Sequence, residues 1–279
     1  MRRLAAGAAA LGVVVALAGC SSLPSGFRSP SPTGSPSPSD VPIGTPFGDV
    51  APREQVTDEL GTYLHVTLSP ESLAATAVDP ATVGASIAGS TWDDAALLEA
   101  QRFVATFVAE QTIDSIALDR DMAGWEQWLV EVGPQYVDLA DTGDLIKPDY
   151  NADRPVPIFN DPSNFTPRFV RDGFPRLDDA TIEVTSLENL PHEGGEWLEV
   201  SGVSDVAYRL SDEEARASLA QQGFDEEVIE GFPELNDGED GHYLVHLEWH
   251  YVVERTQDGY RFRGYDLLWD GIVEGVSQA

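Results

Sequence analysis

The chain has 279 residues, of which 48 are Asp or Glu and only 16 are Lys or Arg, so its formal net charge at pH 7 is −32. A nucleic-acid-binding protein needs a basic patch to meet the phosphates, and this composition argues against such a partner. Cys20 is the only cysteine, which excludes disulfides, thiolate catalysis and cysteine-based zinc sites in the chain that follows it.

The first twenty residues predict a secretory signal that ends in a thiol. Arg2 and Arg3 form a basic start, an uncharged apolar run covers 4–17, and the small residues after it lead to Cys20. The run is shorter than the ~20 residues that a helix needs to span a bilayer. We therefore interpret residues 1–19 as a signal peptide.

The sequence Leu-Ala-Gly-Cys that ends at Cys20 resembles the lipobox of bacterial lipoproteins. The resemblance implies that the signal is removed, that the Cys20 sulfur is acylated, and that the general secretion route delivers the protein to the outer face of the cell membrane. Acyl chains contribute roughly 0.8 kcal/mol per buried CH2, so they can anchor a protein without a transmembrane helix. The single lysine, Lys147, is typical of a high-GC genome and, with the lipobox, indicates an actinobacterial source.

Residues 20–53 predict a tether. Ser and Pro alternate over 29–39, which favours extended polyproline II and leaves no residues to build a core. At about 3.1 Å per residue the tether could reach on the order of 100 Å. We expect the folded part to stand off the membrane.

Beyond residue 53 the composition becomes globular, with an N-terminal extension over 54–89 and a main domain over 90–279. Alternation predicts a strand over Thr62–Leu68. The strongest helical pattern starts at Ser90 or Thr91 as the cap. Two shorter helices are predicted over Met122–Val132 and Gln135–Ile146.

Strands dominate the second half of the predicted domain. Alternating residues predict strands over Ala180–Leu187 and Trp197–Leu210, with the turn-rich stretch 189–195 between them. Ser211 caps a predicted helix over 212–222. The most regular alternation covers 242–254 and, after the turn Thr-Gln-Asp-Gly, returns over 260–269 as a hairpin.

This order of helices first and then about four antiparallel strands resembles the NTF2-like superfamily, the cystatin-like α+β roll, over residues 90–272. The resemblance implies an α+β fold in which N-terminal helices pack on a bent antiparallel sheet. The long stretch 148–178 and the helical insertion near 211–235 depart from the family pattern. An α+β domain of another topology is the alternative.

His246, Glu248 and His250 alternate along one predicted strand and suggest a metal site at first sight. Four residues at about 3.3 Å each separate the Cα atoms of the two histidines by some 13 Å, too far to share one zinc ion. Only His246 with Glu248, or Glu248 with His250, could cooperate. We expect a polar sheet face without a metal or other cofactor. The acidic turn 236–242 lacks the strongest ligands of a calcium loop.

Asp266 and, less strongly, His250 are the candidate catalytic residues. Hairpin parity places Asp266 on the same face as Trp249 and Phe262, where a carboxylate must be paired, turned outward or functional. A bulge at Gly264 would turn it to solvent instead.

The function expected from these observations is that of a membrane-anchored envelope lipoprotein with a non-catalytic binding or interaction module. Its partner would be an envelope protein or a small apolar ligand. Motifs for an activated serine or a phosphate loop are absent from the sequence, which favours a non-enzyme. The alternatives are a small pocket enzyme of NTF2-like type, performing proton transfer or hydrolysis with Asp266 or with a His and a Tyr, and a structural spacer.

Overall fold

A computed structural model describes residues 42–58, 61–115, 127–128, 130–137, 169–192, 195–221, 223–230 and 241–273. These residues belong to one unit, Ser37–Ala279. The predicted signal peptide, Cys20 and the tether up to residue 41 lie outside the described residues. So do most of the two short helices predicted over 122–146 and most of the acidic turn 236–242.

Strands account for most of the regular structure in the described residues. The seven strands are β1 Val50–Asp58, β2 Gly61–Leu68, β3 Leu177–Ala180, β4 Glu183–His192, β5 Gly195–Leu210, β6 Gly241–Thr256 and β7 Gly259–Val273. The α-helices are α1 Leu73–Thr76, α2 Asp94–Phe107, α3 Asp212–Gln221 and α4 Glu226–Glu230. No helix in these described ranges is both long enough and apolar enough to cross a membrane.

Five of the strands form one antiparallel sheet with β5 near its centre. β6 pairs along the whole of one edge of β5, and β7 pairs with β6. The other edge of β5 is shared, with β4 on its first half and β3 on its second. β1 and β2 form a separate antiparallel hairpin.

The predicted C-terminal hairpin is confirmed. The turn at residues 257–258 joins β6 to β7, and Gly259 adopts a φ of 118°, which an L side chain rarely tolerates. Because side chains alternate across a strand, every second residue of β6 is buried on what we call the inner face. That row is Tyr243, Val245, Leu247, Trp249, Tyr251 and Val253.

α2 packs its apolar side into this core. Its N-cap is Asp93, whose carboxylate accepts a hydrogen bond from the Ala96 amide at 2.8 Å, so the cap lies later than the predicted Ser90 or Thr91. Phe107 is fully buried and contacts the rings of Tyr251 and Phe262. After residue 107 the helix continues as a π-helical turn, Val108–Ile113.

The β1–β2 hairpin is joined to the same core. Val50 and Val66 are fully buried in it. The backbone amide of Asp49 donates to the Ala180 carbonyl at 2.7 Å, and that of Leu64 donates to Phe174 at 3.0 Å. β1 begins at residue 50, within the stretch predicted as tether, and the extension 54–89 contributes β2, α1 and part of the core.

The expected fold class, N-terminal helices packed on a bent sheet of about four strands in the NTF2-like manner, is wrong. The described residues form a large five-stranded antiparallel sheet together with the β1–β2 hairpin, and strands predominate over helices. β1 escaped prediction because Pro52 and several polar residues obscure its alternation. The predicted turn 189–195 is also mostly strand, since β4 runs to His192 and β5 starts at Gly195.

The helix predicted after β5 is present. α3 begins at Asp212, and the Ser211 hydroxyl accepts a hydrogen bond from the Glu214 amide at 3.3 Å. This bond is the Ser half of the capping arrangement expected from the sequence. Ala215 and Leu219 of α3 are fully buried in the common core.

Candidate functional site around the π-helical turn

The densest group of buried polar side chains surrounds the point where α2 changes into the π-helical turn. π-Helical turns are rare and frequently occur at functional sites. The side chains at positions 110, 111, 112 and 114 are polar, yet all four residues are buried. Buried polar groups need hydrogen-bond partners, and here the partners come from several distant elements.

Asp114 is the centre of this group and is fully buried. Its Oδ1 accepts hydrogen bonds from Arg176 Nε at 2.8 Å and Nη2 at 2.5 Å. Its Oδ2 accepts from the Val66 amide at 2.8 Å and lies 2.9 Å from His65 Nδ1. The carboxylate thus joins β2 to the segment that precedes β3.

The ionised form of Asp114 is stabilised by these contacts. Burial alone would raise its pKa, but the Arg176 guanidinium, His65 and the Val66 amide together hold the pKa below its usual range. Arg176 is itself fully buried and donates to the Ser115 carbonyl at 2.9 Å. The result is a dry ion pair whose charges are compensated within the protein.

Glu110 forms a second charged centre on the same turn. One carboxylate oxygen accepts from Arg53 Nη1 at 2.8 Å, and the other accepts from the Thr67 hydroxyl. Arg53 is half exposed, whereas Glu110 is nearly buried. Burial, with a further contribution from Glu110, raises the pKa of the nearby Tyr136 to about 12. The phenol therefore stays protonated at neutral pH.

The rest of the turn is tied to the large sheet and to a neighbouring indole. Trp128 Nε1 donates to Gln111 at 2.7 Å. The hydroxyl groups of Thr112 and Tyr251 lie 2.7 Å apart. These bonds fix the turn between the β1–β2 hairpin and the inner face, so that its geometry is determined from both sides.

Tyr63 extends this group toward the loop before β3. The guanidinium carbons of Arg171 and Arg176 lie 4.5 Å and 4.2 Å from the centre of its ring, which are cation–π distances. Its ring also meets that of His65 edge-on. We name His65, Glu110, Asp114 and Arg176, with Arg53, the polar cluster.

A different set of histidines lies on the outer face of the sheet, the side opposite the core. His246 Nδ1 is 2.7 Å from Asp205 Oδ1 on β5. His250 Nδ1 is 2.8 Å from the Ser201 hydroxyl and 3.5 Å from Glu199. Both histidine side chains are more than two-fifths exposed. At the far end of β6, His242 Nε2 is 2.6 Å from Asp178.

These positions bear on the residues proposed from the sequence. His246, Glu248 and His250 share the outer face, as expected for alternate residues of one strand. Across the described residues no group of three potential ligands is placed to hold a metal ion. Glu248 is exposed.

Hairpin parity predicted that Asp266 pairs with the inner row of β6, and the structure shows that it does not. The backbone register pairs it with His250 rather than with Trp249, which is opposite Leu267. The shift arises because pairing is irregular between Val252 and the next residue of β6, where β7 has one extra residue. The register thus removes the argument that Asp266 must lie on the apolar face.

Sequence reasoning missed the polar cluster. The signal that was available is the change at residues 110–115, where the apolar pattern of the helix gives way to Glu-Gln-Thr-Ile-Asp-Ser. The partners of Asp114 lie 48 to 62 residues away along the chain, and no local pattern links them. His65 was read only as one member of a strand.

Comparison of the chain with protein-family models, with curated proteins and with solved structures finds no match in any of the three.

Proposed function

We propose that the chain is a membrane-anchored envelope lipoprotein whose folded unit acts as a binding module for another envelope protein. The observation that carries this proposal is the sequence that ends at Cys20, with its basic start, short apolar run and small residues. The polar Ser/Pro stretch that follows favours display of the folded unit at a distance from the membrane.

The fold supports a binding role through its outer face. β5 and β6 are each 16 residues long, and their outer rows present paired polar side chains at the protein surface. Leu268 of β7 adds an apolar side chain that is 56% exposed. Interfaces that form and dissociate have about the same mixture of polar and apolar area as the rest of a protein surface, so this composition is compatible with a binding role.

The anchor is tested by metabolic labelling with radioactive palmitate in an actinobacterial host. The native chain should be labelled and should sediment with membranes, whereas Cys20→Ser should lose the label and the membrane association. Ser21→Ala, which changes the adjacent residue, is the matched control and should behave like the native chain. Equal labelling of Cys20→Ser would refute the lipoprotein proposal.

The binding face is tested by placing a photo-cross-linking amino acid at Glu248 in whole cells. Val228 on α4, 47% exposed and on a different element, is the control position. We expect a discrete cross-linked product from position 248 and none from position 228. Products of the same size from both positions, or from neither, would contradict a binding role for the outer face.

A further inference from the structure

His65 has one ring nitrogen committed and one that is open to a ligand. Nδ1 is 2.9 Å from Asp114 Oδ2. Among the residues that the structure describes, none forms a hydrogen bond with Nε2. Some buried polar atoms of these residues are fully enclosed and lack a partner, but Nε2 is not one of them. The side chain as a whole is 7% exposed. A group that is nearly buried but has a reachable, uncommitted atom can act on a small molecule.

The contacts around Asp114 also determine the tautomer of His65. The carboxylate is ionised, so it can only accept, and Nδ1 must therefore be the donor. In the neutral imidazole the lone pair is then on Nε2. A buried carboxylate that orients an imidazole in this way is the arrangement used by general bases.

The backbone of Arg53 lies close to that of His65 in the β1–β2 hairpin. The β1–β2 register shifts between Pro52, opposite Val66, and Glu54, opposite His65, so Arg53 is the extra residue at the bulge. Bulges re-aim side chains and are frequent near active sites. One of its terminal nitrogens binds Glu110, and the described residues provide no acceptor for the other N–H groups of its half-exposed guanidinium.

We propose that His65 is a catalytic general base for the hydrolysis of small acyl esters, with Asp114 as its positioning residue and Arg53 as the group that receives the negative oxygen. This activity goes beyond the binding role and does not depend on the lipid anchor. Water is the nucleophile that fits, because the folded unit contains no cysteine and the hydroxyl of the neighbouring Thr67 is bound to Glu110.

The reaction balances without any further reagent. Nε2 of His65 takes a proton from water as the water oxygen bonds to the acyl carbon, and the carbonyl electron pair moves onto its oxygen, which faces Arg53. The carbonyl then reforms and the bond to the alcohol oxygen breaks. The leaving alkoxide takes the proton back from Nε2, so that ester and water give acid and alcohol.

The activity test uses the full chain in detergent micelles and p-nitrophenyl acetate as the probe. His65→Asn should lower the rate about 100-fold, the lower end of the usual contribution of a general base. His192→Asn, at an exposed histidine at the end of β4, is the control and should leave the rate unchanged. Free imidazole should restore turnover to His65→Ala.

Two further measurements separate a catalytic role from a structural one. Arg53→Gln should lower the rate about tenfold while the near-ultraviolet circular dichroism stays native, a smaller loss than for a buried oxyanion donor. Nitrogen-15 NMR should show the proton of His65 on Nδ1 at neutral pH. A proton on Nε2 alone, a rate in His65→Asn equal to that of the native chain, or an equal loss in His192→Asn would each overturn the proposal.

Discussion

Two histidine–carboxylate pairs in this protein have almost the same geometry and very different surroundings. His65 and Asp114 are 2.9 Å apart with side-chain exposures of 7% and 0%, whereas His246 and Asp205 are 2.7 Å apart with exposures of 43% and 26%. The shorter distance belongs to the more exposed pair. Distance therefore does not show which pair matters more to the fold, and burial does.

The physical reason is whether water can solvate a charged side chain once its partner has been removed. Water solvates either member of the outer pair when the other is removed, so such pairs contribute ~0–1 kcal/mol. The fully buried pair of Asp114 and Arg176 has no water to take a partner's place, and removal of one partner costs about 3–5 kcal/mol.

Arg176→Met should lower the free energy of unfolding by about 3–5 kcal/mol, because it leaves the Asp114 carboxylate buried without its main cation. Urea denaturation followed by circular dichroism measures the change. Arg263→Met is the matched control, since Arg263 binds Glu254 at 2.5 Å but with side-chain exposures of 24% and 30%. A loss in Arg176→Met no larger than in the control would remove the contrast between the two regions.

Acid should weaken the buried pair through Asp114. Its folded pKa is lower than its unfolded pKa, so its contribution is complete above the unfolded value of about 3.9. That contribution is lost as the pH falls through the folded pKa. The pKa of an unfolded Asp lies within the range from about pH 6 to pH 2. Free energies of unfolding measured across this range should show the loss of stability.

The same measurements on Arg176→Met provide the control. Without the guanidinium the folded pKa of Asp114 is held down less, by His65 and the Val66 amide alone, so the variant should show a shallower dependence on acid than the native chain. Parallel curves for the two proteins would mean that other carboxylates dominate the acid response.

Gly202→Ala compares the two faces of the large sheet. A Cβ at Gly202 would overlap the indole ring of Trp249 and the Glu183 carbonyl on the crowded inner side, and such overpacking typically costs about 1–3 kcal/mol. Gly264→Ala is the control, because its added Cβ would meet Val252 at an ordinary 3.8 Å. Thermal denaturation of the two variants should separate them, and equal melting temperatures would contradict the crowding seen at Gly202.

His246→Asn should have the smallest effect, within about 1 kcal/mol of the native unfolding free energy, because Asp205 becomes solvated. The same change at His65 should cost more than this, since it disturbs the bonds to Asp114. Urea denaturation of both variants under identical conditions checks the order. A reversal would show that the outer pair, not the polar cluster, stabilises the sheet.

Elements whose pattern is local could be predicted from the sequence, and those defined by distant partners could not. The alternation of β6, the turn before Gly259 and the Ser211 cap each involve neighbours within a few residues. β1 has no clean alternation and is ordered by contacts with β2 and with Ala180. The fold class was predicted wrongly because the sequence pattern did not show that the N-terminal region contributes strands ordered by such distant contacts.

The site illustrates the same limit. His246, Glu248 and His250 are conspicuous because they are close together in sequence, and they lie on an exposed face. Asp114 and Arg176 are 62 residues apart, and only the folded chain brings them together. For Asp266, a single extra residue in β7 was enough to alter the register, which parity counting cannot anticipate.

The continuity of the tether with β1 has a mechanical consequence. In a chain held at Cys20, as proposed, any pull between membrane and partner enters the folded unit just before β1. Before it reaches Arg53, this load meets the contacts of Asp49, whose amide donates to the Ala180 carbonyl and whose carboxylate accepts from the Ile182 amide. The load would therefore be shared from the start between the end of β3 in the large sheet, through Asp49, and the β1–β2 hairpin.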